Sequence, residues 1–162
     1  MTALSENSRL RITYGFDGAT EVAHNLWVGS RLPAWPEGFD LVVFCETEYQ
    51  PAWRNIEGWV LRCPFEDAGL DPGEQARVIE AASIVLATLD ADHRVLITCY
   101  AGRNRSGLVA ACALVRQGRS VEEAIAAVRR VRSNGPFGEA MSNPVFLVFL
   151  EAYARALGTA RS

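Results

Sequence analysis

One cysteine in this chain stands where a thiol can do covalent chemistry. Cys99 follows the apolar, β-branched run Val95-Leu96-Ile97 and precedes Tyr100-Ala101-Gly102-Arg103-Asn104, after which the residues from Arg105 onward are mostly helix formers. The pattern predicts a strand, a loop and a helix in succession. A sulfur at such a junction meets unpaired backbone N–H groups and the positive end of a helix dipole, which favour a thiolate nucleophile. Gly102 permits tight curvature, so the amides from Tyr100 to Arg105 can turn inward as an anion nest. Arg105 adds a planar fork that matches two phosphate oxygens.

The stretch Cys99-Tyr-Ala-Gly-Arg-Asn-Arg105-Ser106 resembles the Cys-x5-Arg-Ser/Thr signature of the protein tyrosine and dual-specificity phosphatases. The resemblance implies that Cys99 is the nucleophile and that Arg105, with the amides of Tyr100, Ala101, Gly102, Arg103 and Asn104, holds the phosphate. It also implies that Ser106 donates its hydroxyl toward the sulfur, with no metal or cofactor required. The family usually carries His before the cysteine, where this chain has Thr98.

Transfer of phosphorus to sulfur leaves an alkoxide or phenoxide that needs a proton from a neighbouring carboxylic acid. Asp67, in the loop Phe65-Glu66-Asp67-Ala68-Gly69, resembles the family's general acid in its place after a strand. Glu66 and Asp71 are the fallbacks, and Asp71 before Pro72 reads better as a helix cap. The side chains of Arg103 and Asn104 are expected to point outward, where Arg103 is a candidate reader of a second anionic group. His24 and His93 have no motif context. Cys45, Cys63 and Cys112 read as core thiols, one of which could take an oxidised Cys99 into a disulfide. Trp35 and Trp53 are the candidate substrate-wall aromatics, and Arg129, Arg130 and Arg132 read as a solvated helix face.

With 162 residues, 49% hydrophobic and 22% charged, the chain suits a single domain over residues 1–162, with its core at about 25–157. A net charge of −3 argues against a nucleic-acid partner or an anionic membrane surface. No stretch approaches the roughly 20 apolar residues of a membrane span, and the expected place is cytoplasmic. The four cysteines lack paired metal-type spacing. Oligomeric state is not legible.

Residues 1–10 are polar and read as frayed, and Leu10-Arg-Ile-Thr-Tyr14 alternates as an edge strand would. Asn25–Ser30 predicts a short strand ending at Gly29 and resembles the Leu-x-x-Gly-Ser strand of small dual-specificity phosphatases. Asp40–Cys45 and Gly58–Cys63 read as inner strands, with a helical turn expected between Glu46 and Glu57. Asp71-Pro72 opens a helix to Asp90, and the helix carrying the loop stops at Gln117-Gly118. Ser120–Glu123 is a capping box for a helix to about Arg132, with Ile125, Val128 and Val131 inward. Asn134-Gly135-Pro136 is a break, and Asn143-Pro144 starts the last helix. The expected fold is α/β, a twisted, mixed, mostly parallel sheet flanked by helices, as in the protein tyrosine phosphatases.

The expected activity is a cysteine-dependent phosphatase acting through a cysteinyl-phosphate, on proteins phosphorylated at tyrosine, serine or threonine or on another phosphomonoester. Phosphoinositides and RNA 5′-phosphates are handled by relatives. The alternatives are a phosphate-binding pseudophosphatase, motivated by Thr98, and a rhodanese-like sulfurtransferase, which also carries a cysteine on an anion-binding loop.

Overall fold

Val95-Leu96-Ile97-Thr98 has no polar alternation, and all four residues are buried. Such a run suits a strand covered on both faces. In the computed structural model, which describes residues 18–31, 36–50, 58–133 and 138–161 with side chains as far as Gly158, this strand is central. The strands are β1 (Ala19–Ala23), β2 (Leu26–Gly29), β3 (Leu41–Phe44), β4 (Trp59–Arg62) and β5 (Val95–Thr98), in the spatial order β1-β2-β5-β3-β4. β5 lies parallel to both β2 and β3, β3 lies parallel to β4, and β1 pairs antiparallel with β2. The sheet is thus mixed and mostly parallel, as the sequence predicts.

The register decides where chemistry can occur. Gly29, Thr98, Phe44 and Arg62 align across the four parallel strands. The segments that follow them, carrying Arg31, Cys99, Glu48 and Asp67, therefore leave from one edge of the sheet. In open α/β sheets that carboxyl edge is where ligands bind.

Helix α1 (Pro72–Asp90) begins where the Asp71 side chain accepts from Glu74 N at 2.8 Å, with proline in the first turn. That Glu74 N–H holds the Asp71 carboxyl below its usual range. Helix α2 (Arg105–Gln117) is buried from Arg105 to Val115 and ends at Gly118, whose φ of 116° closes the helix. Helix α3 (Val121–Arg132) opens on the expected capping box, with Ser120 Oγ accepting from Glu123 N and Glu123 accepting from Ser120 N. Helix α4 (Pro144–Arg161) starts at the predicted Asn143-Pro144. Among the described residues, no helix is long and apolar enough to cross a membrane.

All four helices contribute to one apolar cluster that includes Val28, Val43 and Ile97 of the sheet, Val85, Leu108, Val128 and Phe146. The opposite sheet face is covered by Trp27, Phe39, Phe44 and Leu96. The Arg94 guanidinium lies over the Trp27 and Phe39 rings.

Two strand expectations need correction. Gly58–Cys63 is not an inner strand: β4 is outermost among the described strands, and Trp59 is 77% exposed. A β-branched and aromatic composition is shared by central and edge strands, so composition alone misplaced it. Ala19–Ala23 was not anticipated, because Glu21 interrupts its apolar residues, yet Ala19 and Val22 are buried and the core begins there. The Leu10–Tyr14 strand, the helical turn before Glu57 and the break at Asn134-Gly135-Pro136 fall mainly or wholly outside the described residues.

Removing the α3 cap isolates a purely structural contribution. Ser120→Ala is expected to lower unfolding stability by about 1 kcal/mol, seen as a lower urea midpoint with an unchanged slope. An unchanged midpoint would show that the capping box contributes nothing.

Candidate active site

Cys99 sits immediately beyond β5, 2% exposed, with its backbone N–H on Gly29 O at 3.2 Å. Its sulfur lies 3.1 Å from Ser106 Oγ in the first turn of α2. The strand, loop and helix fall where the sequence predicts them.

The loop's carbonyls are all tied outward. Tyr100 O accepts from Arg31 N at 3.2 Å, and Arg103 O from Met141 N at 3.4 Å. Between them, Ala101 O and Gly102 O accept from Arg132 Nη2 and Nε at 3.2 and 2.8 Å. In a trans peptide the C=O and the following N–H point in opposite directions. The N–H groups of Ala101, Gly102, Arg103 and Asn104 are therefore turned to the inside of the loop, the arrangement of an anion nest.

Arg132 corrects the sequence expectation directly. It is 1% exposed rather than on a solvated face, and it also donates to Gly18 O. A buried guanidinium is tolerable only with its donors satisfied, and here carbonyls of the loop and of the β1 entry accept them. Arg129 likewise holds Ala140 O and Met141 O. The signal was present: Ala124, Val128 and Arg132 follow an i, i+4, i+8 spacing that puts Arg132 on the apolar stripe.

Arg103 and Asn104 also depart from expectation. The Arg103 side chain is buried and donates to Gly138 O at 2.7 Å, so it anchors a neighbouring segment instead of pointing outward to a second anion. The Asn104 amide donates to Asp67 Oδ2 at 3.0 Å and accepts from Ser142 N at 2.8 Å.

Asp67 is thereby brought against the loop, with its Oδ1 held by Asn143 Nδ2 at 2.9 Å. The fallbacks are engaged elsewhere: Glu66 accepts from Thr47, and Asp71 caps α1. Thr98, in place of the family's His, is buried and donates to Val43 O.

The Arg105 guanidinium is buried, and its Nη1 donates to Glu48 at 3.0 Å and to Phe65 O at 3.4 Å. Its Nε and Nη2 have no protein acceptor among the described residues, which leaves that edge for two oxygens of an anion. Burial works against the Glu48 carboxylate, but its own backbone N–H and the Arg105 guanidinium outweigh that and hold it below the usual range. A depressed carboxyl stabilises the fold above its unfolded pKa. The Glu48–Arg105 pair is thus intact at neutral pH and is lost as the pH falls through the lowered value.

At the mouth, the Arg31 guanidinium lies 4.9 Å from the ring centres of both Tyr49 and Tyr100 and bonds the buried Glu46. Tyr100, the first residue after Cys99, is half exposed. Neither Glu48 nor Arg31 was singled out from the sequence, which carries no local sign of either pairing. Trp35 and Trp53 lie outside the described residues.

Cys45, Cys63 and Cys112 are buried free thiols. Cys45 N bonds Thr98 O and Cys63 N bonds Phe44 O, so Cys45 stands between Cys63 and Cys99 in the register. Burial pushes the Cys45 and Cys112 thiols up, and the Cys45 S–H is shared with Cys63.

Gly102 has a φ of +66°, and a Cβ there would lie 2.5 Å from both Arg132 Nη2 and the Gly29 carbonyl carbon. Gly102→Ala is therefore expected to cost about 2 kcal/mol or more in stability and to weaken phosphate binding at least tenfold. Urea unfolding and phosphate titration check this, and a parental midpoint and affinity would contradict it.

The mixed sheet flanked by helices matches the fold of the dual-specificity and protein tyrosine phosphatases, and the chain belongs to that family. Human DUSP28 superposes with a TM-score of 0.73 at 28% identity, over 86% of this chain and 95% of that one. A single-substitution variant of human DUSP28 gives 30% identity and a TM-score of 0.71, over 89% and 98%. A mouse protein assigned as a dual-specificity phosphatase, solved with zinc tungstate, gives 27% identity and 0.73, over 88% and 90%. The chain matches no protein-family model and no curated protein sequence.

Proposed function

We propose that this protein is a cysteine-dependent phosphatase that hydrolyses phosphomonoesters through a cysteinyl-phosphate, acting on proteins phosphorylated at tyrosine, serine or threonine. The observation that carries the reading is the outward tethering of four successive loop carbonyls above a buried sulfur paired with a hydroxyl. The tungstate of the mouse relative, a tetrahedral oxyanion, adds support from outside this chain.

In the first step the Cys99 sulfur attacks phosphorus, an S–P bond forms and the P–O ester bond breaks. The inward amides and the Nε/Nη2 edge of Arg105 hold the phosphoryl oxygens, and Glu48 fixes the other side of the guanidinium. The Asp67 carboxyl gives its proton to the leaving oxygen. In the second step water attacks phosphorus, Asp67 takes a proton from it, and the S–P bond breaks. Ser106 Oγ–H then donates to the departing sulfur.

Two measurements test the assignment. Phosphate release from an aryl phosphate by the parent, compared with Cys99→Ser, separates an enzyme from a phosphate-binding pseudophosphatase. Asp67→Asn should slow substrates with poor leaving groups by roughly 10²-fold or more, yet slow p-nitrophenyl phosphate little, because nitrophenolate departs without a proton. Equal slowing of both substrates would place the acid elsewhere, with Glu66 next to test.

A further inference from the structure

We propose that Asn143, at the entrance to α4, is a positioning residue for the reaction: with Asn104 it clamps Asp67 over the phosphate loop. The inference rests on the reading of Asp67 as the general acid.

Three segments far apart in sequence meet at Asp67. Asn143 Nδ2 donates to Asp67 Oδ1 at 2.9 Å and to Ala68 O at 3.1 Å, so one amide holds both the carboxylate and the backbone beside it. Asn104 Nδ2, from the phosphate loop, donates to Asp67 Oδ2 at 3.0 Å. The two asparagines are themselves joined, because Asn104 Oδ1 accepts from the N–H and the hydroxyl of Ser142, the residue before Asn143.

The consequence is geometric. Asp67 is exposed and lies in a loop between β4 and α1, where a side chain would otherwise sample several rotamers. Two amide donors from opposite sides remove that freedom and tie the carboxyl to the loop that carries Cys99. Each carboxyl oxygen has two lone pairs, so the clamp uses one on each and leaves a site on each for the proton that goes to the leaving group. Placement within a fraction of an ångström is what proton transfer requires.

Asn143 also caps α4, accepting from Val145 N through Oδ1 at 3.0 Å. The test must keep that cap. Serine caps a helix as well as asparagine but is too short to reach Asp67, so Asn143→Ser separates the two roles.

The experiment measures kcat for a series of aryl phosphates of graded leaving-group acidity with the parent, Asn143→Ser, Asp67→Asn and the double variant. Asn143→Ser is expected to lose roughly tenfold or more on the poorest leaving group. It should stay within about twofold on p-nitrophenyl phosphate, with unchanged KM and thermal midpoint. In the Asp67→Asn background it should add no further leaving-group dependence. A parental slope for Asn143→Ser, where Asp67→Asn steepens it, overturns the inference and leaves the phosphatase intact. A parental slope for Asp67→Asn overturns the acid assignment and this inference with it. A readout free of catalysis stands beside these: in the Cys99→Ser background, Asn143→Ser should speed amide hydrogen exchange across residues 66–69. Unchanged exchange there overturns the clamp even in a protein without turnover.

Discussion

Cys99→Ser is expected to release no phosphate from an aryl phosphate while keeping its fold and its affinity for a tetrahedral oxyanion. The two halves of that result have separate causes. Turnover ends because a serine hydroxyl is not ionised at neutral pH, and the side chain bonded at this position is another hydroxyl, on Ser106. Binding survives because the loop carbonyls are held without the sulfur: those of Tyr100, Ala101, Gly102 and Arg103 accept from Arg31, Arg132 and Met141. The exchange of sulfur for oxygen at a site 2% exposed leaves only a small void. Initial-rate phosphate release checks the first half. The rise in thermal midpoint with added phosphate, which for any native-state ligand follows RT ln(1 + [L]/Kd), checks the second. Parental rates in the variant would remove Cys99 as the nucleophile, and loss of the phosphate-induced shift would show that the sulfur shapes the nest.

Arg105→Lys is expected to lower kcat/KM on the order of 10²–10³-fold, about 3–4 kcal/mol of transition-state stabilisation, although the charge is kept. The guanidinium does two jobs at once. Its Nη1 is anchored on Glu48 and Phe65 O, and its other edge is the one proposed to meet the phosphate. A lysine carries one nitrogen, which either stays with Glu48 or turns to the phosphate as a point charge, and in neither case offers two parallel donors. The loss should appear mainly in kcat, because the fork matters most when the equatorial oxygens of the transferring phosphoryl group flatten. A rate within a few-fold of the parent would mean that Arg105 is not the clamp.

The site's centre was legible in the sequence because it is contiguous. Cys99 to Ser106 carries the proposed nucleophile, nest, fork and hydroxyl in eight consecutive residues, and its flanking strand and helix announce themselves by composition. The starts of α1, α3 and α4 were legible for the same reason, since Asp71-Pro72, Ser120–Glu123 and Asn143-Pro144 act within one turn. What supports the loop was not. Arg132 reaches Gly102 across 30 residues, Glu48 reaches Arg105 across 57, and Asn143 reaches Asp67 across 76. Each pairing depends on how α3, the segment after β3 and the entrance to α4 dock around one sheet edge, which no local pattern encodes. One of three arginines within four residues reads as solvated until its neighbours on the helix face are counted. An asparagine before proline reads as a cap until its other amide atom is placed. The edge position of β4 is a further case, since its residues suit either place and only the strand order decides.

The most direct test of the account is to trap its intermediate. The protein is mixed with an aryl phosphate, quenched in acid within a turnover, digested and read by mass spectrometry. The account predicts a phosphoryl group on the peptide bearing Cys99, localised to that sulfur and absent in Cys99→Ser. Turnover by the parent with no label at Cys99, or with the label on any other residue, would contradict it.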